Sequence, residues 1–395
     1  MAALSLAAAC TTSSDAGSSG STGVQDATGA AVTADATYKL GLALPFTGPA
    51  ASYGEEYRIA VQLGIDDANE QFASDGIQLE MVTQDSQATA EGGVNAMNRL
   101  GAVDEAPAVL TAWSAVVASG ASVAQDLGFA MFNAGAQSPS LIGTPHLVNA
   151  LPMNDAQLSN FSQYLMEEKG YEDFAIIYVD NESGQGTADA FTEAVEERGG
   201  SIVAEESIRQ DATDATTQIA KIQESGADFV YIQTLLVEGA ATMQAAREAN
   251  LQIPLGSYAG FGESRVIRDA GQEAMNGLIY MSHIPEDMDA VRGLLDRMQA
   301  VEPERVLANQ SYNSYFYAVP FIYAEAIKIL REQGAPVTGE NVLAVLDDEA
   351  LTAPILGDVD LTNQLTYTGP TLIQQIDDYQ ADPLDDTTVD AVSAD

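Results

Sequence analysis

The sequence predicts two doubly wound α/β lobes, on three observations. Short β-rich runs alternate with stretches of helical periodicity from about residue 37 onward, a pattern that implies parallel sheets with right-handed crossovers. The alternation forms one series to about residue 133 and restarts near residue 174. The chain has 395 residues, 46% of them hydrophobic, and most follow a polar N-terminal tract, enough to fill two cores of ordinary domain size.

The first strand is predicted at 38–44, closed by the turn-rich run Pro45-Phe46-Thr47-Gly48-Pro49. Tyr57, Ala60, Val61, Gly64, Ile65 and Ala68 then recur at i, i+3, i+4 spacing, the mark of a helix with one buried stripe. Further strands are expected at 77–83, 108–112 and 129–133. The second series places strands at 174–179, 202–207, 229–233, 254–257 and 278–282, with helices at 187–198, 216–224 and 239–250 between them. Beyond residue 284 the pattern turns helical at 287–300 and 310–333, and strand-like pieces return at 365–368 and 372–377. Residues 381–395, rich in Asp and Thr, read as a frayed acidic tail.

Charge narrows the partners. The chain carries 58 acidic and 15 basic residues, a net charge of −43. Nucleic-acid binding needs Lys and Arg to replace phosphate counterions, so no nucleic-acid partner is expected. So acidic a surface suits salty surroundings, where screening relieves self-repulsion; an acidic secreted protein without a salt requirement is the alternative. After Cys10 no stretch reaches the roughly 20 apolar residues that span a bilayer. With one cysteine, no disulfide forms within the chain.

That cysteine, Cys10, sits where Met-Ala-Ala-Leu-Ser-Leu-Ala-Ala-Ala meets a Ser/Thr/Gly/Ala/Asp tract. Residues 1–10 look like the end of a lipoprotein signal peptide, with Cys10 the lipidated first residue of the mature chain and 11–37 a disordered tether. The match lacks a basic n-region, and Ala7 stands where Leu is usual. A polar tail that merely carries a cysteine is the competing reading.

Motifs for catalysis are missing. The first strand-to-helix turn fits neither the dinucleotide glycine pattern nor the P-loop, and no Gly-x-Ser-x-Gly elbow occurs. Gly184-Gln185-Gly186 reads as a loop glycine pair. His146 and His283, the two histidines, show no metal-ligand spacing. Paired acids such as Asp66-Asp67 and Asp347-Asp348 read as solvated surface. No enzyme activity, cofactor or metal is expected.

The run 42–54, Leu-Ala-Leu-Pro-Phe-Thr-Gly-Pro-Ala-Ala-Ser-Tyr-Gly, is followed by a helix carrying Ile65-Asp66-Asp67-Ala68-Asn69. Gln84-Asp85-Ser86, the run 132–139 (Phe-Asn-Ala-Gly-Ala-Gln-Ser-Pro) and the run 226–231 (Gly-Ala-Asp-Phe-Val-Tyr) come in order after it. Over residues 38–380 the sequence resembles the leucine/isoleucine/valine-binding protein family, type I periplasmic solute-binding proteins of ABC importers. The resemblance implies two lobes joined by a three-segment hinge that close on a small organic solute, an ABC permease as membrane partner, an extracytoplasmic location, to which the signal-peptide-like start adds anchoring through Cys10, and a monomer. Crossings would fall near 151–155, 282–286 and 357–361. They give a first lobe of 38–152 plus 286–357 and a second of 153–285 plus 358–380.

The resemblance also implies a ligand-binding set. Ser114, after Trp113, matches the serine whose hydroxyl holds a ligand carboxylate together with N–H groups at helix N-termini. Gly135-Ala136-Gln137 matches the second carboxylate-holding segment, with Gln137 in the place of a hydroxyl residue but still able to donate. Tyr53 and Tyr312 match cleft aromatics. In the opposite lobe the acid that meets a ligand ammonium group is replaced by Ala259, and two wall tyrosines by Ser183 and Leu235; Asn181 and Glu182 are alternatives to Ser183. Glu238 or Glu263 could restore an acid. A buried ammonium group needs an acidic partner. The substitutions therefore favour a carboxylate or amide head on an apolar or aromatic body: branched-chain amino acid-like solutes, short amides, ureas or aromatic acids. A ligand sensor with the same two lobes, feeding a signalling partner, is the rival reading, and an enzyme assembled from distant residues a third.

Overall fold

The computed structural model describes residues 36–283, 287–305, 310–369 and 371–392. The proposed lipidation site at Cys10, the tether to residue 35, and residues 284–286 of the second crossing lie outside them. In the first lobe the order is β1 (Ala36–Leu44), α1 (Ala51–Gln71), β2 (Ile77–Asp85), α2 (Ala90–Ala102), β3 (Ala108–Thr111), α3 (Ser114–Leu127), β4 (Ala130–Asn133) and β5 (Leu147–Asn149). The second begins with α4 (Asn154–Glu167), β6 (Asp173–Val179), α5 (Glu182–Glu196), β7 (Ser201–Ile208) and α6 (Thr216–Gln223). It continues through β8 (Phe229–Gln233), α7 (Leu236–Glu248), β9 (Leu255–Tyr258), α8 (Ala259–Gly262), α9 (Arg265–Gly271) and β10 (Ile279–Ser282). Helices α10 (Met288–Val301), α11 (Gln310–Gln333) and α12 (Gly339–Asp348) and the hairpin β11 (Leu351–Ala353)–β12 (Gly357–Val359) return to the first lobe. Finally β13 (Thr371–Gln375) and β14 (Thr387–Val392) complete the second sheet.

The first sheet is parallel in the order β2-β1-β3-β4-β5, and the second contains β7-β6-β8-β9-β10 in the same relative order. The second differs by two added antiparallel strands, β13 against β10 and β14 against β13. Each lobe has its own hydrophobic core. The likeness extends to single residues. A Cβ on Gly54, in the first turn of α1, would lie 1.8 Å from the Pro45 carbonyl oxygen, and one on Gly184, in the first turn of α5, 2.0 Å from that of Val179. In both lobes the first helix presses its start against the end of the strand before it, which only glycine permits. Gly184 is thus a helix-packing residue and not part of a loop pair.

Helix α11 joins the lobes' architecture. Every residue from Gln310 to Ala324 is buried, the expected state of a helix enclosed on all sides. Gly64 of α1 approaches it so closely that a Cβ would stand 2.3 Å from the Tyr317 carbonyl oxygen. Asp67, read from sequence as solvated, accepts two hydrogen bonds from the Arg297 guanidinium at 2.6 and 2.8 Å and one from the Tyr317 hydroxyl at 2.6 Å. It clamps α1 to α10 and α11.

Three expectations are corrected. The third crossing falls between Tyr367 and Thr371, later than 357–361. Residues 351–367 pack on the first core, and Asn149 of β5 bonds Leu365 and Tyr367 through its backbone. The expected strand at 365–368 is a single bridge, Asn149 to Thr366. The tail expected to fray instead carries β14, because Asp386 is drawn into the interior: it pairs with the wholly buried Arg268 and accepts from the Tyr280 hydroxyl at 2.8 Å. Arg268 also donates to the Gly262 carbonyl at 2.7 Å.

A buried guanidinium left without its carboxylate is costly. Asp386→Ala is expected to lower stability by about 3–5 kcal/mol, measured as the shift in urea unfolding midpoint. An unchanged midpoint would mean that Arg268 finds another partner.

Candidate functional site

In a sheet of strand order 2-1-3-4-5, sites form beyond the strand C-terminal ends, where neighbouring connections leave to opposite faces. Here those points are the turns after β1 and β3 in one lobe and after β6 and β8 in the other. They meet at one cavity of about 410 Å³. From the first lobe it is lined by Tyr53 and Tyr57 of α1, by Trp113 and Ser114 at the start of α3, and by the segment 135–138 after β4. From the second lobe Asn181, Glu182 and Ser183 at the start of α5 line it, as do Gln233, Leu235 and Leu236 around the start of α7. Asn154 of the first crossing, Tyr258 and Tyr312 also face it.

Helix N-termini therefore converge from both sides, and their free N–H groups carry partial positive charge. The starts of α3 and α7 receive no side-chain cap from their N-cap residues, Trp113 and Leu235. Both helix starts use left-handed backbone, φ 67° at Trp113 and 42° at Leu236, unusual for non-glycine residues and concentrated at functional sites. Two hydrogen bonds span the lobes beside the cavity: Ser183 Oγ donates to Ser114 Oγ at 3.3 Å, and the Tyr53 hydroxyl and Ser264 Oγ lie 3.1 Å apart.

Of the residues singled out from sequence, Tyr53, Trp113, Ser114, Gly135, Ala136 and Gln137 line the cavity, as do Ser183, Leu235 and Tyr312. Ala259 does not; it is 1% exposed and packs with the first lobe's core, while its neighbours Tyr258 and Gly260 face the cavity. Glu238 and Glu263 stay outside the lining. Glu238 accepts from the Asp211 backbone N–H at 3.3 Å, and Glu263 from that of Ser311 at 2.9 Å. Gln137 does not offer the free donor expected of it. Its Nε2 donates to the Pro152 carbonyl at 3.0 Å and to Gln157 Oε1 at 3.2 Å, and its Oε1 accepts from the Tyr312 hydroxyl. Sequence reasoning missed Tyr57, Asn154, Gln233 and Tyr258. Gln233 ends β8 and could have been found by following the strand C-terminal ends of the second lobe as closely as those of the first.

Behind Tyr312 the crossings share a buried polar knot. Ser311 offers its N–H to Glu263 and sets its Oγ 3.4 Å from His283 Nε2. Ser282 Oγ donates to Glu263 at 3.3 Å, and the Tyr315 hydroxyl donates to the His283 carbonyl. Burial pushes the Glu263 carboxyl up to about 7, against the hydrogen bonds from Ser311, and pushes the His283 imidazole down to about 3. His283 is therefore neutral at physiological pH.

A family model described as periplasmic binding protein matches residues 37–380. The leucine-, isoleucine-, valine-, threonine- and alanine-binding protein of Pseudomonas aeruginosa is 22% identical over 282 residues, 70% of this chain and 76% of that protein. The Leu/Ile/Val-binding protein of Escherichia coli K12 is 20% identical over 264 residues, 66% of this chain and 72% of the relative. Among solved structures, the branched-chain amino acid transporter substrate-binding protein LivJ of Streptococcus pneumoniae, in complex with isoleucine, superposes with a TM-score of 0.76 at 18% identity, covering 91% of this chain and 99% of that one. An ABC transporter solute-binding protein from R. palustris in complex with 4-hydroxybenzoate gives 0.76 at 18% identity, covering 91% and 97%. At such identity the structural matches establish the fold.

The knot generates opposing pH dependences. Glu263, raised when folded, contributes stability that is full below about 4.5 and lost as pH rises through about 7. His283, depressed when folded, contributes stability present above about 6.5 and lost as pH falls through about 3. Glu263→Gln removes only the first. Its stability relative to the parent is expected to rise by about 3 kcal/mol between pH 4.5 and 7, followed by urea unfolding at each pH. A pH-independent difference would show that Glu263 titrates normally.

Proposed function

Because the chain belongs to the periplasmic binding protein family, we propose that it is the solute receptor of an ABC importer, working outside the cytoplasmic membrane. It captures a small carboxylate- or amide-bearing solute between its lobes and presents the closed form to a membrane permease. The observation that carries this reading is the cavity itself: enclosed by both lobes, lined by helix N-termini and aromatic rings, and about 410 Å³ in volume. Ser114 and the N–H groups at the start of α3 are the proposed carboxylate or amide holders, with Gly135 and Ala136 beside them. Trp113, Tyr53 and Tyr312 embrace the body of the solute, and Ser183 and Leu235 form the opposite wall. The relatives' names favour branched-chain amino acids or aromatic acids as the solute class. Lipidation of Cys10, with the expected tether of 11–37 as a leash up to the start of β1 at Ala36, would hold the receptor at the membrane as a monomer.

Closure is the working step. The Ser183–Ser114 and Tyr53–Ser264 contacts form only when the lobes meet, so a solute that bridges α3 and α5 adds its own contacts to theirs. The Gln137–Tyr312 pair lies under the cavity and couples the floor to the first crossing through Pro152 and Gln157.

Thermal-shift measurements with amino acids, short amides, ureas and aromatic acids test the reading. A solute at ~100 times its Kd should add ~2.7 kcal/mol to folded-state stability. Ser114→Ala is expected to weaken the solute found by ~1 kcal/mol or more, measured by calorimetric titration. Unchanged affinity would remove Ser114 from the site, and silence of the folded protein across the panel would count against the proposed solute classes.

A further inference from the structure

The cavity's polar groups are unequally committed. Among the described residues its lining holds no Lys or Arg, and its one carboxylate, Glu182, lies exposed in the first turn of α5. Several hydroxyl and amide donors are already taken by the protein. Tyr312 donates to Gln137, Tyr258 donates to the Thr234 carbonyl at 3.2 Å, Tyr53 pairs with Ser264, and Gln137 spends its amide on Pro152 and Gln157.

Gln233, like Tyr57 and Asn154, keeps polar capacity unspent. It ends β8, is 7% exposed and lines the cavity. The Tyr231 hydroxyl donates to its Oε1 at 2.8 Å, which fixes the orientation of the amide and turns its N–H₂ group the other way. Among the described residues that group has no acceptor, although the side chain is more than nine-tenths buried. Immediately beyond it lies the start of α7, a helix of 13 residues whose N-cap, Leu235, supplies no side-chain cap. Glu238 in its first turn directs its carboxylate to the Asp211 N–H. The second lobe thus presents two adjacent donors, an amide N–H₂ and a helix N-terminus. A ligand ammonium group meets no acceptor in either.

Resting on the receptor reading, we infer that Gln233 and the start of α7 form an oxygen-recognising subsite. The ligand is then an organic acid that carries a second oxygen acceptor, and not an ammonium group, toward Gln233. A 2-oxo or hydroxy acid meets this description and an α-amino acid does not. The carboxylate takes the donors around Ser114, and the second oxygen takes the Gln233 amide. Once a bound ligand excludes water from the cavity, an unmet Gln233 amide would carry the desolvation cost of an unmade hydrogen bond.

The test is calorimetric titration of the full chain with matched pairs: leucine against its 2-oxo acid, 4-methyl-2-oxopentanoate, and benzoate against 4-hydroxybenzoate. The parent is expected to prefer the oxygen-bearing member of at least one pair by roughly tenfold or more. Gln233→Glu keeps an acceptor for the Tyr231 hydroxyl but replaces the donor with a carboxylate. It is expected to lose roughly tenfold or more in affinity for that acid. Gln233→Met, of similar length without the amide, guards against misfolding of the charged variant and is expected to lose the preference within the pair. Equal affinity of parent and both variants for the acid overturns the subsite and leaves the receptor reading intact. Parent preference for leucine over its oxo acid, without preference for 4-hydroxybenzoate, also overturns it. No binding of any of the four by folded protein overturns the inferred ligand class, and a hit elsewhere in the wider solute panel would then still uphold the receptor.

Discussion

A parallel sheet sends every strand end, and hence every following helix start, to the same edge. Two such sheets facing each other along that edge must enclose a space lined by helix N-termini. This single constraint decides most of what the cavity is. The turns after β1, β3, β6 and β8 converge there because both sheets share one strand order. The glycines at 54 and 184 sit where they do because each lobe repeats the same tight strand-to-helix turn. Donor-rich walls follow from topology before any side chain is chosen, and the side chains then decide which acceptor is welcome.

The crossings meet a second demand. They must pass from one core to the other without burying unsatisfied backbone, yet still allow the lobes to separate. The solution is polar and shared: Ser311 meets both Glu263 and His283 across the lobe boundary, and Gln137 ties Tyr312 to the first crossing. Burial drives Glu263 and His283 in opposite directions, each toward its neutral form. Neutral groups lose less than ions when a closing cleft excludes water. A hinge of this kind is buried in the closed form with His283 neutral and the Glu263 carboxylate held by hydrogen bonds from Ser311 and Ser282.

Much of the fold could be read from periodicity. The spans of α11 and β8 are those the sequence predicts, because a long buried helix and a five-residue apolar strand leave clear patterns. What escaped notice depended on partners distant in sequence. The strand β14 forms because Asp386 meets Arg268, 118 residues away, and no local pattern in an Asp/Thr-rich segment records that. The third crossing was displaced for the same reason, since residues 365–367 are held by Asn149 of β5. At the site, family resemblance located residues by position but not by orientation. It placed Gln137 at the cavity, yet only the side-chain partners reveal that both ends of its amide are spent. Gln233 went unnoticed because a glutamine ending a strand looks ordinary until Tyr231 is seen to fix its direction.

A cavity lined by helix N-termini within a chain of net charge −43 looks contradictory, and the resolution lies in range. Charges on the surface act through solvent, where screening reduces their reach to about 8 Å at physiological salt and less in brine. The N–H groups at the starts of α3 and α7 act at hydrogen-bond distance inside a partly dry cavity, where the effective dielectric is low and each dipole counts for more. The surface charge therefore governs how a ligand arrives and the cavity governs whether it stays. Natural selection can load the exterior with carboxylates for solubility in salt while the interior keeps them out, and the lining does keep them out, with Glu182 its one acid among the described residues. In the second lobe Gln233 and Tyr258 face the cavity while Glu238 and Glu263 turn to backbone N–H groups outside it, so side chains set the electrostatics of that wall without altering the fold that builds it.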